Sequence, residues 1–272
     1  MSKFLGNRSI QIVLPMAGLG TRFAEAGYQV AKPLLPIHDQ PMFKVVLGNV
    51  LSPQVKRVVI ISRLEWNLTS EIEELNSNSD IDFKLVEIDY TTEGPADTVV
   101  LAAPHLELDL PVVTANSDQY VCTAISDFFS ALLAEGVAGT IMTMEDDDPK
   151  WSFVQVDSSG DVVNVREKEV ISHQATVGIY GFTTASVLLE SINKMKLEGD
   201  RVNGEFYIAP VYNYMIRDGQ RVTTFETGAV EDVMFGLGIP KDYENFIRHP
   251  ESKVAAGSAN SYIKGGNVET NG

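Results

Sequence analysis

An apolar strand that breaks into glycines, followed by two spaced cations, constrains this chain more than any other feature. Ile10-Gln11-Ile12-Val13-Leu14 runs into Gly18-Leu19-Gly20-Thr21-Arg22, and Lys32-Pro33 begins ten positions after Arg22. Glycines let the main chain approach a polyphosphate and turn N–H groups toward it, while a guanidinium and an ammonium neutralise its charge. Two other phosphate loops do not fit. A dinucleotide fingerprint needs a third glycine where this chain has Phe23, and a nucleotide P-loop needs Gly-Lys-Ser/Thr, which is absent. The bland alternative is a glycine-rich turn between strand and helix, and it leaves the paired Arg22 and Lys32 unexplained.

Beyond Pro36 the pattern alternates helix and strand. Residues 42–50 are apolar at helical spacing, and 57–62 form a β-branched run suited to a buried parallel strand. Residues 65–76 have helical composition, and 83–88 alternate like a strand. This is the βαβ grammar of a parallel sheet covered on both faces. Gly94-Pro95-Ala96-Asp97-Thr98 opens a further helix, with Asp97 or Thr98 as its cap. A strand over 110–115 ends in Asn116-Ser117-Asp118-Gln119, and ligand sites in open α/β sheets lie beyond the carboxyl ends of strands. Residues 151–156 and 162–165 pair as a hairpin across Asp157-Ser158-Ser159-Gly160 and bring Arg166-Glu167-Lys168 to one side of the sheet. Glu205 either accepts hydrogen bonds from a ligand or caps the helix that follows it.

Composition narrows the partners. At 272 residues and 44% apolar content, one large α/β domain is expected over residues 1–250. From about residue 251 the chain turns to Ser, Ala, Gly and Asn, which predicts a flexible tail over 251–272. Lys and Arg number 21 against 37 acids, a net charge of -16 that repels nucleic acid and anionic membranes. An anionic substrate then needs local cations and a divalent metal. The single cysteine, Cys122, excludes an intrachain disulfide, reads as a small buried apolar residue and suits the reducing cytoplasm. No run of about 18 apolar residues predicts a membrane span. The acid run Glu145-Asp146-Asp147-Asp148 reads as a solvated loop, and the four scattered histidines receive no role.

Gly18-x-Gly20-Thr21-Arg22 with Lys32-Pro33 resembles the signature of the sugar-phosphate nucleotidylyltransferases, and element order extends the similarity over roughly residues 10–250. The resemblance implies a Rossmann-like three-layer α/β/α fold with a mainly parallel mixed sheet, of the nucleotide-diphospho-sugar transferase type. It implies transfer of a nucleoside monophosphate from a nucleoside triphosphate to a phosphorylated acceptor, foremost a sugar 1-phosphate, with Mg²⁺ as cofactor and pyrophosphate released. Nucleotide-sugar and polysaccharide synthesis would be the setting. Residues Ala17, Gly18, Leu19, Gly20 and Thr21 would cradle the triphosphate, with Gly94, Asp97 and Thr98 beside the nucleotide. Arg22 would meet the pyrophosphate, Lys32 the α-phosphate, and Asp118 the metal. Glu167, Lys168, Gly178, Asn203 and Glu205 would hold the acceptor.

Three positions depart from the family pattern. A second metal-binding aspartate is expected where Gly236 stands, and Asp232 is the candidate replacement; Trp151-Ser152-Phe153 stands where a glycine is common, and Glu169 where proline is. All three fall on the acceptor or metal side. Two other readings therefore stay open: a cytidylyltransferase for a small non-sugar phosphate or phosphonate, and a catalytically silent nucleotide-sugar-binding module of the same fold. Self-association into a homo-oligomer is also left open.

Overall fold

A computed structural model describes residues 9–229 and 234–263, so Asp232 lies outside the described residues. In chain order the strands are β1 (Ile10–Pro15), β2 (Pro36–Ile37), β3 (Gln40–Pro41), β4 (Val55–Arg63), β5 (Asp82–Ile88), β6 (Val112–Ala115), β7 (Gln119–Val121), β8 (Gly139–Glu145), β9 (Ser152–Val156), β10 (Val162–Glu167), β11 (Gln174–Phe182), β12 (Val222–Ala229) and β13 (Met234–Gly236). The helices are α1 (Thr21–Glu25), α2 (Met42–Val50), α3 (Thr69–Asn78), α4 (Pro95–Val100), α5 (Ile125–Leu132), α6 (Ala185–Glu198), α7 (Val211–Arg217), α8 (Pro240–Arg248) and α9 (Glu251–Ile263).

Among the described residues, nine strands form one sheet with the path β10-β9-β11-β6-β1-β4-β5, while β8 pairs with β11 and β12. The strands β6, β1, β4 and β5 run parallel, β8 and β12 are parallel to each other, and β11 is antiparallel to β6 and β8. The sheet is thus mixed and mainly parallel in the half that begins the chain, as expected. Successive residues of a strand face opposite layers. Ile10, Ile12 and Leu14 enter a core with Phe43, Leu47, Ile72, Phe129 and Phe246, whereas Val13 enters the opposite core with Val99, Leu188, Ile192 and Tyr212. Because β1 is buried on both faces it reads as an apolar run broken only by buried Gln11.

Two expectations fail here. The tail expected over 251–272 is helix α9 as far as Ile263, and residues 264–272 lie outside the described residues. Its small residues make an interface: Ser252, Ala255, Ala256 and Ala259 are buried, and a Cβ placed on Gly48 of α2 would stand 2.8 Å from the Ala259 Cα. Composition alone cannot separate small residues that pack closely from small residues that fail to pack. Cys122, expected to be buried, is exposed.

The packing of α9 on α2 separates two glycine substitutions. Alanine gains about 1 kcal/mol over glycine in a helix. At Gly48 that gain meets a backbone clash of the kind that costs about 1–3 kcal/mol, while at Gly257 nothing lies within 4 Å of the Cβ position. Thermal unfolding should show Gly48→Ala melting below the parent chain and Gly257→Ala at or above it.

Candidate active site

The register of two strands creates the site. Gln11, Ile12 and Val13 of β1 pair in parallel with Val112, Val113 and Thr114 of β6, so the loops leaving both carboxyl ends emerge side by side. After β1 the chain turns at Gly20, whose φ of 62° is left-handed and whose Cβ position lies 3.3 Å from the Lys32 Cβ. A side chain there would crowd the strand-to-helix turn against Lys32, so glycine is required. Lys32 begins a short 3-10 turn, Lys32–Leu34, anchored by buried Pro33. After β6, Asp118 accepts from Lys32: Nζ to Oδ2 is 2.8 Å, with both side chains largely shielded from solvent.

Two adjoining cavities meet at this ion pair. The smaller, about 440 Å³, is lined by Ala17, Gly18, Leu19, Gly20 and Thr21 with Lys32, Gly94, Thr98, Asp118 and Glu205. Gly94 closes it: its φ is 127°, and its Cβ position lies 2.6 Å from the Phe206 backbone, so α4 sits too close for any side chain. The larger, about 970 Å³, is lined by Arg22, Asp118, Glu167, Lys168, Gly178 and Asn203. Most of the residues expected to act together are therefore brought together.

One expectation needs correction and two need refinement. Asp97 lines neither cavity; its carboxylate binds the Lys196 ammonium and accepts from the Glu93 amide at 2.9 Å. Burial pushes the Asp97 pKa up, but those two partners, with Arg201, outweigh it and hold the carboxyl below its usual range. Glu205 lines the smaller cavity with the glycine loop, and its carboxylate also bears on Glu167 and on Tyr207, the partner of Lys168. Arg22 lines the larger cavity, apart from the loop it terminates.

Strain marks the larger cavity. Lys168 and Asn203 take left-handed φ values of 57° and 49°, uncommon for residues with side chains. Lys168 is fixed there by its backbone N–H, which donates to the Trp151 carbonyl at 3.0 Å, and by donation from Nζ to the Tyr207 hydroxyl, 2.6 Å. At Gly178, φ is 81° and a Cβ would meet the Asn116 amide and lie 2.5 Å from Gln119 Oε1, so glycine admits both amides beside the cavity. Gln119 Nε2 is buried with no partner among the described residues.

Sequence reasoning missed several lining residues: Asn116, Gln119, Lys150, Trp151, Tyr207, Lys241 and Asp242. Two carried a signal, since Asn116 shares the strand-end segment with Asp118 and Tyr207 lies two positions after Glu205. The acid run is only partly a solvated loop. Asp146 accepts from the Trp151 indole Nε1 at 2.9 Å and so orients one wall of the larger cavity.

The chemistry of the donor set accommodates a divalent metal in part. Among the described residues no three His, Cys, Asp or Glu side chains converge. Asp118 offers one carboxylate, and the Cβ position of Gly238 lies 3.0 Å from its Oδ2, so a glycine keeps that flank clear. One or two carboxylates with phosphate oxygens make an ordinary Mg²⁺ set.

Burial raises the Glu167 pKa; the Ser152 hydroxyl and the Lys168 ammonium offset this incompletely, and Glu205 adds to it. The fold therefore favours protonated Glu167. That contribution is complete below the ordinary glutamate range and is lost as pH rises through the raised folded value. Glu167→Gln should accordingly unfold at higher denaturant than the parent at about pH 7.5, with the difference vanishing toward about pH 4; equilibrium unfolding across that range checks it.

The family model described as nucleotidyl transferase matches residues 11–233. The bifunctional protein GlmU of Methanococcus aeolicus is 25% identical over 174 residues, 62% of this chain and 39% of that protein. The UTP–glucose-1-phosphate uridylyltransferase of Salmonella typhimurium is 29% identical over 59 residues, 22% of this chain and 20% of that protein. The aligned segments thus span well under half of either relative. A solved nucleoside-diphosphate-sugar pyrophosphorylase from Vibrio cholerae RC9 superposes with a TM-score of 0.74 at 25% identity, covering 88% of this chain and all of that one. The matched residues run from the glycine loop through Asp118 to the hairpin carrying Lys168, and this chain belongs to the nucleotidyl transferase family.

Proposed function

We propose that this chain transfers a nucleoside monophosphate from a nucleoside triphosphate to a phosphorylated acceptor, a sugar 1-phosphate, and releases pyrophosphate. One observation carries the reading: the Lys32–Asp118 pair stands where a glycine-lined cavity meets a second cavity holding Lys168. An oxygen of the acceptor phosphate attacks the α-phosphorus, and the bond to the bridging oxygen breaks as pyrophosphate leaves. An acceptor phosphate is already ionised near neutral pH, so the protein has to position reactants and neutralise charge more than move a proton.

The roles follow from placement. Amides of the glycine loop meet the triphosphate, Lys32 offsets charge at the α-phosphate, Lys168 holds the acceptor phosphate, and Arg22 neutralises the departing pyrophosphate. A divalent ion such as Mg²⁺ supplies further charge neutralisation when bound, and Asp118 is a residue that would hold it. The sugar assignment draws on the similarity to the uridylyltransferase and on polar groups such as Asn203 and Glu167 in the larger cavity. A second reading, a small non-sugar phosphate or phosphonate as acceptor, is favoured by Trp151, which lines that cavity where the family often has glycine. The presence of all four of Arg22, Lys32, Asp118 and Lys168 speaks against a silent binding module. No helix among the described residues is long and apolar enough to cross a membrane, and a cytoplasmic setting and a place in polysaccharide precursor synthesis belong to this same proposal.

Pyrophosphate release measured with CTP, UTP, dTTP, GTP and ATP against a panel of sugar 1-phosphates and small alkyl phosphates and phosphonates tests it. Lys32→Ala and Asp118→Ala should each lower kcat/KM by about 10²–10³-fold. Lys168→Ala should raise the KM of the acceptor far more than that of the nucleotide. Turnover of Lys32→Ala at the parental rate, or no release with any pair, would sink the proposal.

A further inference from the structure

We propose that Asp242 supplies, from the first turn of α8, the second carboxylate of the metal site that Asp118 begins; this rests on the metal-assisted transfer proposed above. The segment after β13 runs alongside Asp118: Gly236 pairs with Gln119, and the Leu237 amide donates to the Asp118 carbonyl at 2.7 Å. Leu237 is fully buried, so the side-chain positions of 236 and 238 face the other way, toward the larger cavity that both glycines line. A Cβ on Gly238 would stand 3.0 Å from Asp118 Oδ2, and a Cβ on Gly236 would stand 3.6 Å from Asp242 Oδ2. The two carboxylates therefore flank one strip of side-chain-free backbone, and both line the same cavity.

Asp242 is not committed elsewhere. Its carboxylate has no hydrogen bond or ion pair with any described residue, and no side chain caps the helix it stands on. The helix itself is held firmly, by buried Tyr243 and Phe246 and by the bond from the Tyr243 hydroxyl to the Pro36 carbonyl, 2.7 Å. Lys32 already pairs with Asp118, whereas Asp242 faces the same cavity with no such partner, so a cation held between them would draw on Asp242 and on the Asp118 oxygen that Lys32 leaves free. Mg²⁺ favours one or two carboxylates completed by phosphate oxygens. Gly236 is then the residue that leaves room for a carboxylate arriving from α8.

Mn²⁺ binding to the full chain, read from the electron paramagnetic resonance of unbound Mn²⁺, tests this with the α,β-methylene analogues of the five triphosphates. The parent should bind Mn²⁺ with at least one analogue, and Asp242→Asn should weaken that binding about tenfold or more. Gly236→Asp placed in the Asp242→Asn chain should restore it, because a side chain at 236 meets only ordinary contacts. Circular dichroism confirms that Asp242→Asn is folded, and Asp242→Ser replaces it if it is not. Parental Mn²⁺ affinity in both Asp242 variants, or a loss in Asp232→Asn instead, overturns the assignment while leaving the transfer reaction standing. Absence of Mn²⁺ binding by the parent with every analogue overturns the metal-assisted reading and this assignment with it.

Discussion

The ion pair between Lys32 and Asp118 ties together two loops whose residues are 86 positions apart. A charge-assisted bond in a partly shielded setting contributes about 1.5–3 kcal/mol, which is modest against the sheet beneath it. Its importance is geometric. The pair forms because β1 and β6 are parallel neighbours in register, so that the glycine turn and the aspartate leave adjacent strand ends. Lys32 reaches that point because Gly20 has no side chain to hold it off. Take away the β1–β6 pairing and the cations of the opening motif lose both their partner and their cavity.

The same pair defines what a phosphate would change. Lys32 now spends one of its three donors on Asp118, and an ammonium has donors left for phosphate oxygens. Under the proposed reaction the lysine therefore stands between the aspartate and the α-phosphate without having to leave either. Asp118 keeps its second oxygen, Oδ1, while the Oδ2 that accepts from Lys32 is the one flanked by Gly238.

Local pattern made the framework legible, and tertiary contact hid the rest. Strands β1 and β4 showed as apolar runs because both of their faces are buried, β5 showed by its alternation, and the glycine loop, Lys32 and Asp118 showed because motif spacing and strand ends are local properties. Asp97 looked like a nucleotide contact by position, yet Lys196, 99 residues later on α6, claims its carboxylate. Trp151 looked like a departure from pattern; only the bond to Asp146 reveals it as an oriented wall. Asp242 was an unremarked acid in a helix start, since its relation to Gly236 depends on how α8 leaves β13. Strand ends can be read from one sequence, whereas a carboxylate delivered by a packed helix cannot.

That dependence explains why no domain boundary can be drawn near residue 250. Tyr243 of α8 packs edge-on against Phe23 and Tyr28, at ring separations of 5.9 and 6.1 Å, and so braces the loop between Arg22 and Lys32. The next helix follows suit: Ser252 is fully buried, pairs with His38 Nε2 at 2.7 Å, and donates to the His249 carbonyl, so the start of α9 is locked to the turn after β2. Tyr120 of β7, two residues past Asp118, reaches Glu251 at 3.3 Å. The C-terminal helices thus touch both loops that form the ion pair. Two of the residues that shape the strip beside Asp118, Gly236 and Asp242, lie in the same terminal stretch, and the site is assembled only when the end of the described chain closes over its beginning.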